Sequence, residues 1–433
     1  MAGNQFEYAD WLAMECLDLL ENRRAVSQFF NTDYSKEFKL KFPVGDTIHV
    51  PYPQRYTVAR GLPYQPQAIN RLHANISFLE PFQIGFDWDS AEQALKAPRG
   101  REKVSREILA PAMAYAQQSI DDACALFAYQ NAASIGGVLG TDPLDFDSVS
   151  GVAKQKMNEL GAPTADRAMI ITPGLARVLK KSAVQYFNPV QQLSKQWRTG
   201  ILGESDGFEF YESMSLFRHT SGVWAGAVSV QTAPIDGATS LVVTCANGDT
   251  VKAGDKFAVA GSLPVNPMTR RTFGTPTKTF TVLAAATGAG TSMVIQFSPA
   301  MYGPGSQYQN VDTLPPAGAL LTLWPGTAAP TVAHTGQIQL ALQRNAFALV
   351  NVELEEPKTS SVELVSQKRD PDSGTVIRFI REWDGNLSRF INRFDWMIGL
   401  GSFYNDACRD RVAVRRAAVW GQWTAARASC SEC

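Results

Sequence analysis

GDTVKAGDKFAVAGSLPVNPMTRRTFGTPTKTFTV, residues 248–282, reads as two β-type runs, Lys256 to Ala260 and Thr279 to Ala284, set among turns such as Ala253-Gly254-Asp255. The pattern continues outward. Ser240 to Thr244 precedes this stretch, Ser292 to Phe297 and Ala319 to Leu323 follow it, and Asn247-Gly248 and Gly288-Ala289-Gly290 mark further turns. Roughly six short strands at this spacing predict a small barrel or sandwich. The surrounding residues 220–335 hold only nine of the chain's Asp, Glu, Lys and Arg residues, about a third of the charge density elsewhere. Mixed helix and strand patterns lie before this stretch, and strand structure resumes at Gly336. A β module set into an α+β host, with no catalytic cluster in either, points to architecture rather than chemistry.

The 433 residues suffice for two or three structural units with substantial cores. A net charge of −1 gives no global basic field for gripping nucleic acid. No run of about 18 apolar residues occurs, so no membrane-spanning helix is expected. The first residues carry acids and no early Lys or Arg, unlike a secretory signal. Cysteines at 16, 124, 245, 408, 430 and 433 are scattered, as in a protein made in a reducing cytoplasm. Cys430 and Cys433 form C-x-x-C without a second half-site, so a free tail is expected there rather than a zinc or redox centre.

In the host, residues 7–29 predict a helix with Leu12, Cys16, Leu19 and Leu20 on one face, which would dock on its own domain or on a neighbour. Extended chain follows, with Pro43, Pro51, Pro53, Pro63, Pro66 and Pro81. Proline cannot donate to a sheet ladder, so edge strands or a protruding hairpin are expected. Tyr52, Tyr56, Tyr64, Ile69, Ile76 and Phe78 are too many apolar groups for a solvated loop and favour cover by a partner subunit. The longest helix candidate runs from Arg101 to about Ala133, with Pro111 either kinking it or marking its first turn. Asp147 reads as the N-cap of a helix from Ser148 to Leu160, closed by Gly161. A strand at 168–171, helices at 173–181 and about 189–198, and a strand at 207–212 complete one α/β-like layer. Strands are expected again at 346–352, 376–381 and 389–398, before a tail with Arg409, Arg411, Arg415 and Arg416.

The motifs offer little catalysis. Gly203-Glu204-Ser205-Asp206-Gly207 fits G-x-S-x-G, but the helix precedes it and the strand follows, the reverse of a nucleophile elbow, so a polar turn is expected. His49, His73, His219 and His334 are far apart and read as surface or turn residues. Asp370-x-Asp372-x-Gly374 resembles the start of a calcium loop, but Arg381 stands at the twelfth position. Asp87 and Asp89 flank Trp88 and read as a solvated strand face. Arg270-Arg271, and Arg415-Arg416 near Trp420 and Trp423, are local basic spots too short for a nucleic-acid groove.

Several collinear stretches carry a family resemblance: GDTIHVPYPQRYTV (45–58) behind Asp33-Tyr34, LGAPTADRAMIITP (160–173), RTGILGESDGFEFYESMSLFRHTSG (198–222), residues 248–282 with SPAM (298–301), and RNAFALV (344–350) with FIREWDGNLSRFINRFDWMIGLGSF (379–403). Together they resemble the major capsid (coat) proteins of tailed bacteriophages with the Hong Kong ninety-seven fold, in particular the subgroup with an inserted β-domain typified by the coat of the Salmonella podovirus. Phe217, where a proline is common, and the run Asp395 to Gly399 depart from the family pattern.

The resemblance implies an N-terminal arm over 1–40, an extended-loop hairpin over 41–88, and a spine helix with peripheral domain over 89–145. It places the first part of an axial domain at 146–219, the inserted β-barrel domain at 220–335, the axial remainder and the return to the peripheral sheet at 336–410, and a tail at 411–433. It also implies self-assembly as pentamers and hexamers into an icosahedral shell. Further implied partners are a portal, a scaffolding protein, a decoration protein and packaged double-stranded DNA contacted non-specifically, in a virion assembled in the bacterial cytoplasm, with no membrane partner. Near-zero net charge suits such a container, since a strongly basic lining would hold DNA phosphates too tightly. Candidate intersubunit contacts are Leu12 and Leu19, then Tyr52, Arg55, Tyr56, Arg60 and Tyr64, and Arg270 and Arg271. No catalytic, metal or cofactor residue is assigned and no cofactor is expected. An encapsulin-like cellular shell, and a carbohydrate-binding or hydrolytic β module, are the competing readings.

Overall fold

The computed structural model describes residues 13–20, 25–33, 47–51, 55–56, 61, 66–67, 73–89, 105–140, 143, 145–186, 203–273, 277–324, 330–344, 346–357, 362–369, 374–386 and 388–403. The expected helix at 189–198, the Asp370–Asp372 pair and the basic tail lie outside these residues.

Helix α1 (13–20) and a tight turn at Ser27–Phe29 open the described chain. Cys16, Leu17, Leu20, Val26 and Phe30 are buried in the central core. The carboxylate of Asp121 accepts hydrogen bonds from the amides of Ala25 (3.1 Å), Val26 (3.2 Å) and Ser27 (2.8 Å). Of the two dockings expected for this segment, on its own domain or on a neighbour, these residues make the first. Their apolar stripe and the free amides of the turn are satisfied within the chain.

Strands β1 (Thr47–Pro51) and β2 (His73–Phe78) pair antiparallel, and β3 (Phe82–Asp89) follows. β1 lies at a sheet margin, where the missing N–H of Pro51 costs no ladder bond. The long helix α2 (Ala110–Asn131) is entered through a wider turn at Ser105–Leu109. Pro111 sits in its first turn, directly after that wider turn, where a missing N–H is tolerated better than in the helix interior. Its buried face carries Met113, Ala116, Ile120, Cys124 and Ala128, while Tyr115 is 75% exposed.

Next come α3 (Val152–Glu159), β4 (Arg167–Ile171), α4 (Pro173–Tyr186), β5 (Glu204–Ser205) and β6 (Phe208–Glu212). Asp147 is not the cap ahead of α3. It lies inside the opening turn, and Asp145 accepts from the Ser148 amide at 2.9 Å instead. β4 runs parallel to β6, and Met169, Ile171, Phe208 and Phe210 pack with Leu175 and Leu179 of α4.

β7 (Arg218–Thr220) leads into the insert, built from β8 (Ser229–Val230), β9 (Ala238–Thr244), β10 (Thr250–Val251), β11 (Lys256–Val259), β12 (Thr279–Val282), β13 (Ala286–Thr287), β14 (Ser292–Met301) and β15 (Leu321–Leu323). Six of these pair in the order β15-β11-β12-β14-β9-β8. The margins meet through Val230 N donating to Ala319 O and Leu321 N to Val228 O, both at 2.8 Å, so the sheet closes into a barrel. Alternation along β14 buries Met293, Ile295 and Phe297 and leaves Val294 54% exposed. Phe257, Phe280 and Phe297 pack edge-on or tilted at 5.2–5.7 Å around the barrel centre, with Trp224 fully buried in the same cluster.

β16 (Thr335–Gln337) pairs with β7, so entry and exit of the insert form one two-stranded neck. β17 (Leu340–Gln343) joins β4, giving the order β17-β4-β6-β5. β18 (Phe347–Asn351), β19 (Val362–Arg369), β20 (Val376–Asp384), β21 (Arg389–Trp396) and β22 (Ile398–Ser402) complete the described residues. They form two sheets, β1-β2-β22-β18 and β19-β20-β21-β3. The run expected as one strand at 389–398 therefore divides at Met397 between the two sheets. No helix among the described residues is long and apolar enough to cross a membrane.

Candidate assembly surfaces

The structure brings two of the candidate contact residues together. Arg55, from the proline-rich loop, places its guanidinium 5.5 Å over the ring of Tyr308 in the insert. Its carbonyl accepts from Gln307 Nε2 at 2.5 Å. The Gln307 carbonyl in turn accepts from Arg270 Nη2 at 3.2 Å. Arg270 holds a positive φ of 53° at the end of a turn knotted by Asn266, whose side-chain oxygen accepts from the amides of Met268 (3.0 Å) and Thr269 (3.1 Å). Asn266 Nδ2 also donates to the Glu159 carbonyl at 2.8 Å, which ties this turn to the end of α3. Tyr56 (65% exposed), Met268 (65%) and the exposed Arg271 stand out from this loop cluster. Burial, with Asp236 and Tyr308 nearby, raises the pKa of Tyr302 at its base. Tyr, Met and Arg are the residue types enriched where proteins meet.

The other candidates fall elsewhere. Leu19 is half-buried against the chain's own core, and only its remaining surface is open to a neighbour. Leu12, Tyr52, Arg60 and Tyr64 lie outside the described residues.

A second cluster, which sequence reasoning missed, joins the insert to the long helix. Lys256 is 4% exposed, and its ammonium donates to the carbonyls of Tyr129 (2.7 Å) and Ala132 (2.5 Å) and to the Thr281 hydroxyl (2.7 Å). It also lies 4.7 Å from the centre of the Tyr129 ring. Burial drives its pKa well below the ordinary lysine value, and neighbouring Asp255 opposes that shift. Thr281 and Thr279 hydroxyls cap the Ala132 and Ala133 carbonyls at 2.7 Å, and Trp324 Nε1 reaches Gly137 O at 2.7 Å. His219 Nε2 meets Asp255 Oδ1 at 2.7 Å, while the other Asp255 oxygen accepts from the amides of Gly222 (3.0 Å) and Lys252 (2.7 Å). His219 is thus a buried neck residue rather than a surface one. Asp249 likewise faces inward, accepting from the amides of Ala225 (2.7 Å) and Ala246 (2.8 Å).

The family description "P22 coat protein - gene protein 5" matches residues 85–407, about three quarters of the chain. The chain belongs to the P22 coat protein family. It is a phage major capsid protein with the α+β Hong Kong ninety-seven type fold, a structural protein that self-assembles into the capsid of the virion. Among solved structures, it is similar to "Mycobacterium phage Che8" at 12% identity, covering 89% of each chain with a TM-score of 0.39. It is also similar to "Capsid structure of the Cyanophage P-SCSP1u" at 11% identity, covering 84% of this chain and 81% of that one with a TM-score of 0.41. No curated protein matches the sequence.

The coat chain's G-x-S-x-G stretch is a turn, as read from sequence, and the turn is that of a hairpin. Ser205 lies in two-residue β5, and Asp206 (φ 56°) and Gly207 (φ 79°) turn the chain straight into β6. Asp87 pairs with Arg389 at 2.5 Å. No group of three His, Cys, Asp or Glu able to hold a metal occurs among the described residues.

Proposed function

We propose that this coat chain assembles as pentamers and hexamers into an icosahedral shell around a tailed phage's double-stranded DNA, without enzymatic activity. The carrying observation is the coat-family match across residues 85–407. A composite surface of the proline-rich loop and the insert supports it, because Arg55, Tyr56, Arg270 and Arg271 collect beside exposed Met268. These residues, with the open surface of Leu19 and with Leu12, Tyr52, Arg60 and Tyr64, are the proposed subunit contacts. A subunit using different patches towards its two neighbours closes into rings, and rings into a shell. The division into arm, extended loop, spine, peripheral and axial parts with the insert at 220–335 is part of the same proposal. A portal, a scaffolding protein, a decoration protein and non-specifically held DNA complete the expected partners, and assembly takes place in the host cytoplasm.

Expression of the full chain, alone and with a scaffolding partner from the same phage, followed by sedimentation and negative-stain microscopy, tests the reading. Closed particles with five- and six-membered rings are expected. A chain that remains monomeric under every assembly condition would refute it.

A further inference from the structure

The α/β unit of residues 152–212 leaves part of one sheet face bare among the described residues. Alternation along β6 turns Phe208 and Phe210 towards the helices and Glu209 and Tyr211 to the opposite face. Phe29 covers Tyr211, with ring centroids 4.7 Å apart, so the uncovered part is the margin formed by β5 and β6. There Glu204 stands directly opposite Glu209 in the strand register, and both are exposed. Like charges at paired positions repel. Glu209 accepts a hydrogen bond from the Tyr211 hydroxyl at 2.9 Å, which supplies no positive charge. The neighbouring acids differ, since Asp206 has Lys154 at 3.7 Å and Glu212 has Lys180 at 3.5 Å. Among the described residues no cation forms an ion pair with Glu204 or Glu209.

The helix layer of the same unit shows the converse. Arg177 and Lys181, one turn apart on α4, are exposed, and among the described residues neither has an acidic partner. Acids without cations and cations without acids thus occupy opposite sides of one sheet-and-helix unit.

We propose that these two surfaces are the halves of one contact between copies of this chain, with Arg177 and Lys181 on α4 of one subunit packed over Glu204 and Glu209 at the β5–β6 margin of the next. The two patches differ, so the contact is head-to-tail, and repetition about an axis closes it into a ring. Charge matching of this kind fixes register and rejects wrong approaches more than it adds raw affinity. The inference rests on the shell-forming function and names a contact within it.

Three variants test the contact: Glu204→Lys with Glu209→Lys, Arg177→Glu with Lys181→Glu, and all four changes together. Thermal melts of unassembled subunits check the fold, and sedimentation with negative-stain microscopy reads assembly. Each two-site reversal should raise the concentration needed for particle formation by about tenfold or more, and the four-site variant should recover most of that loss. Should a reversal unfold the subunit, Glu204→Gln with Glu209→Gln replaces it, and is expected to weaken assembly and reduce its salt dependence. Two-site variants that assemble like the parent, or a four-site variant no better than they are, overturn the contact while the shell function stands. A parent chain that forms no particles removes the shell function itself, and this contact with it.

Discussion

The Lys256 ammonium donates to the Tyr129 carbonyl at 2.7 Å, so a residue of the inserted barrel caps the C-terminus of the long host helix. The last carbonyls of a helix lack intrahelical donors and carry the negative end of its dipole, which a cation satisfies. Lys256→Met keeps the length and removes the charge, leaving buried carbonyls short of a donor. It should cost about 1–3 kcal/mol in urea unfolding and speed amide exchange in residues 129–133 before exchange in the barrel core. Unchanged stability and exchange would show that the capping contributes nothing.

Gly254 lies beneath that junction with φ +91°, and a Cβ there would stand 2.5 Å from Tyr129 Cε1. Gly290 has φ +70° but nothing within 4 Å of its Cβ position. Gly290→Ala should therefore cost only backbone strain, about 1 kcal/mol, whereas Gly254→Ala adds a clash for about 3 kcal/mol or more. Equal losses in thermal melts would mean that the Tyr129 ring moves aside freely.

Much of the barrel was legible because its strands are apolar runs punctuated by glycine turns, and those turns fall where the backbone takes positive φ, at Gly248, Gly254 and Gly290. The buried charges were not legible. Lys256, Asp249 and Asp255 look like solvent-facing residues in sequence, and the acceptor that makes Lys256 a cap lies 127 positions away. A faint signal existed: Lys256 opens the unbroken apolar run Phe257 to Ala260, which lacks the alternation of a strand with one face in water. β19 escaped notice because VELVSQKR lacks the β-branched density of a core strand, although it pairs with β20 over most of its length. Of the candidate contacts, composition singled out a loop rich in Tyr and Arg, but only the fold could bring Arg55 onto Tyr308.

Burial raises the pKa of the Cys16 thiol far above its ordinary 9.0, with Glu15 adding to the shift. The folded chain therefore holds this proton more tightly than the unfolded chain. Its contribution to stability is complete below 9.0 and falls as pH rises above that value, because the unfolded thiol ionises and the buried one does not. Cys16→Ala should cost about 1 kcal/mol at neutral pH through lost packing, and make the decline of stability shallower by up to about 1.4 kcal/mol per pH unit above the thiol's ordinary pKa. Tyr129, also raised by burial, and then by Asp255, keeps a decline of its own above 10.0 in both proteins. Urea melts across the alkaline range check this. Parallel curves for the two proteins would mean that Cys16 is not proton-linked to folding.

Arg55 over Tyr308 is a contact within one subunit between the proline-rich loop and the insert, so its strength can be measured without assembly. At a partly exposed site a cation–π pair contributes about 0.5–1 kcal/mol. A double-mutant cycle of Arg55→Ala and Tyr308→Ala on unassembled subunits should return a coupling in that range. Arg271→Ala, on an exposed neighbour in the same loop cluster, should leave subunit stability within about 0.5 kcal/mol of the parent while weakening assembly. The two outcomes separate the roles of the arginines. Coupling confined to Arg55 and Tyr308, with an assembly defect in Arg271→Ala, would mean that the intrasubunit anchor of Arg55 holds the loop on the insert as one surface and that Arg271 carries that surface onto a neighbour. Zero coupling in the cycle would instead leave the loop without an anchor on the insert, and Arg55 would have to find its partner on another copy of the chain.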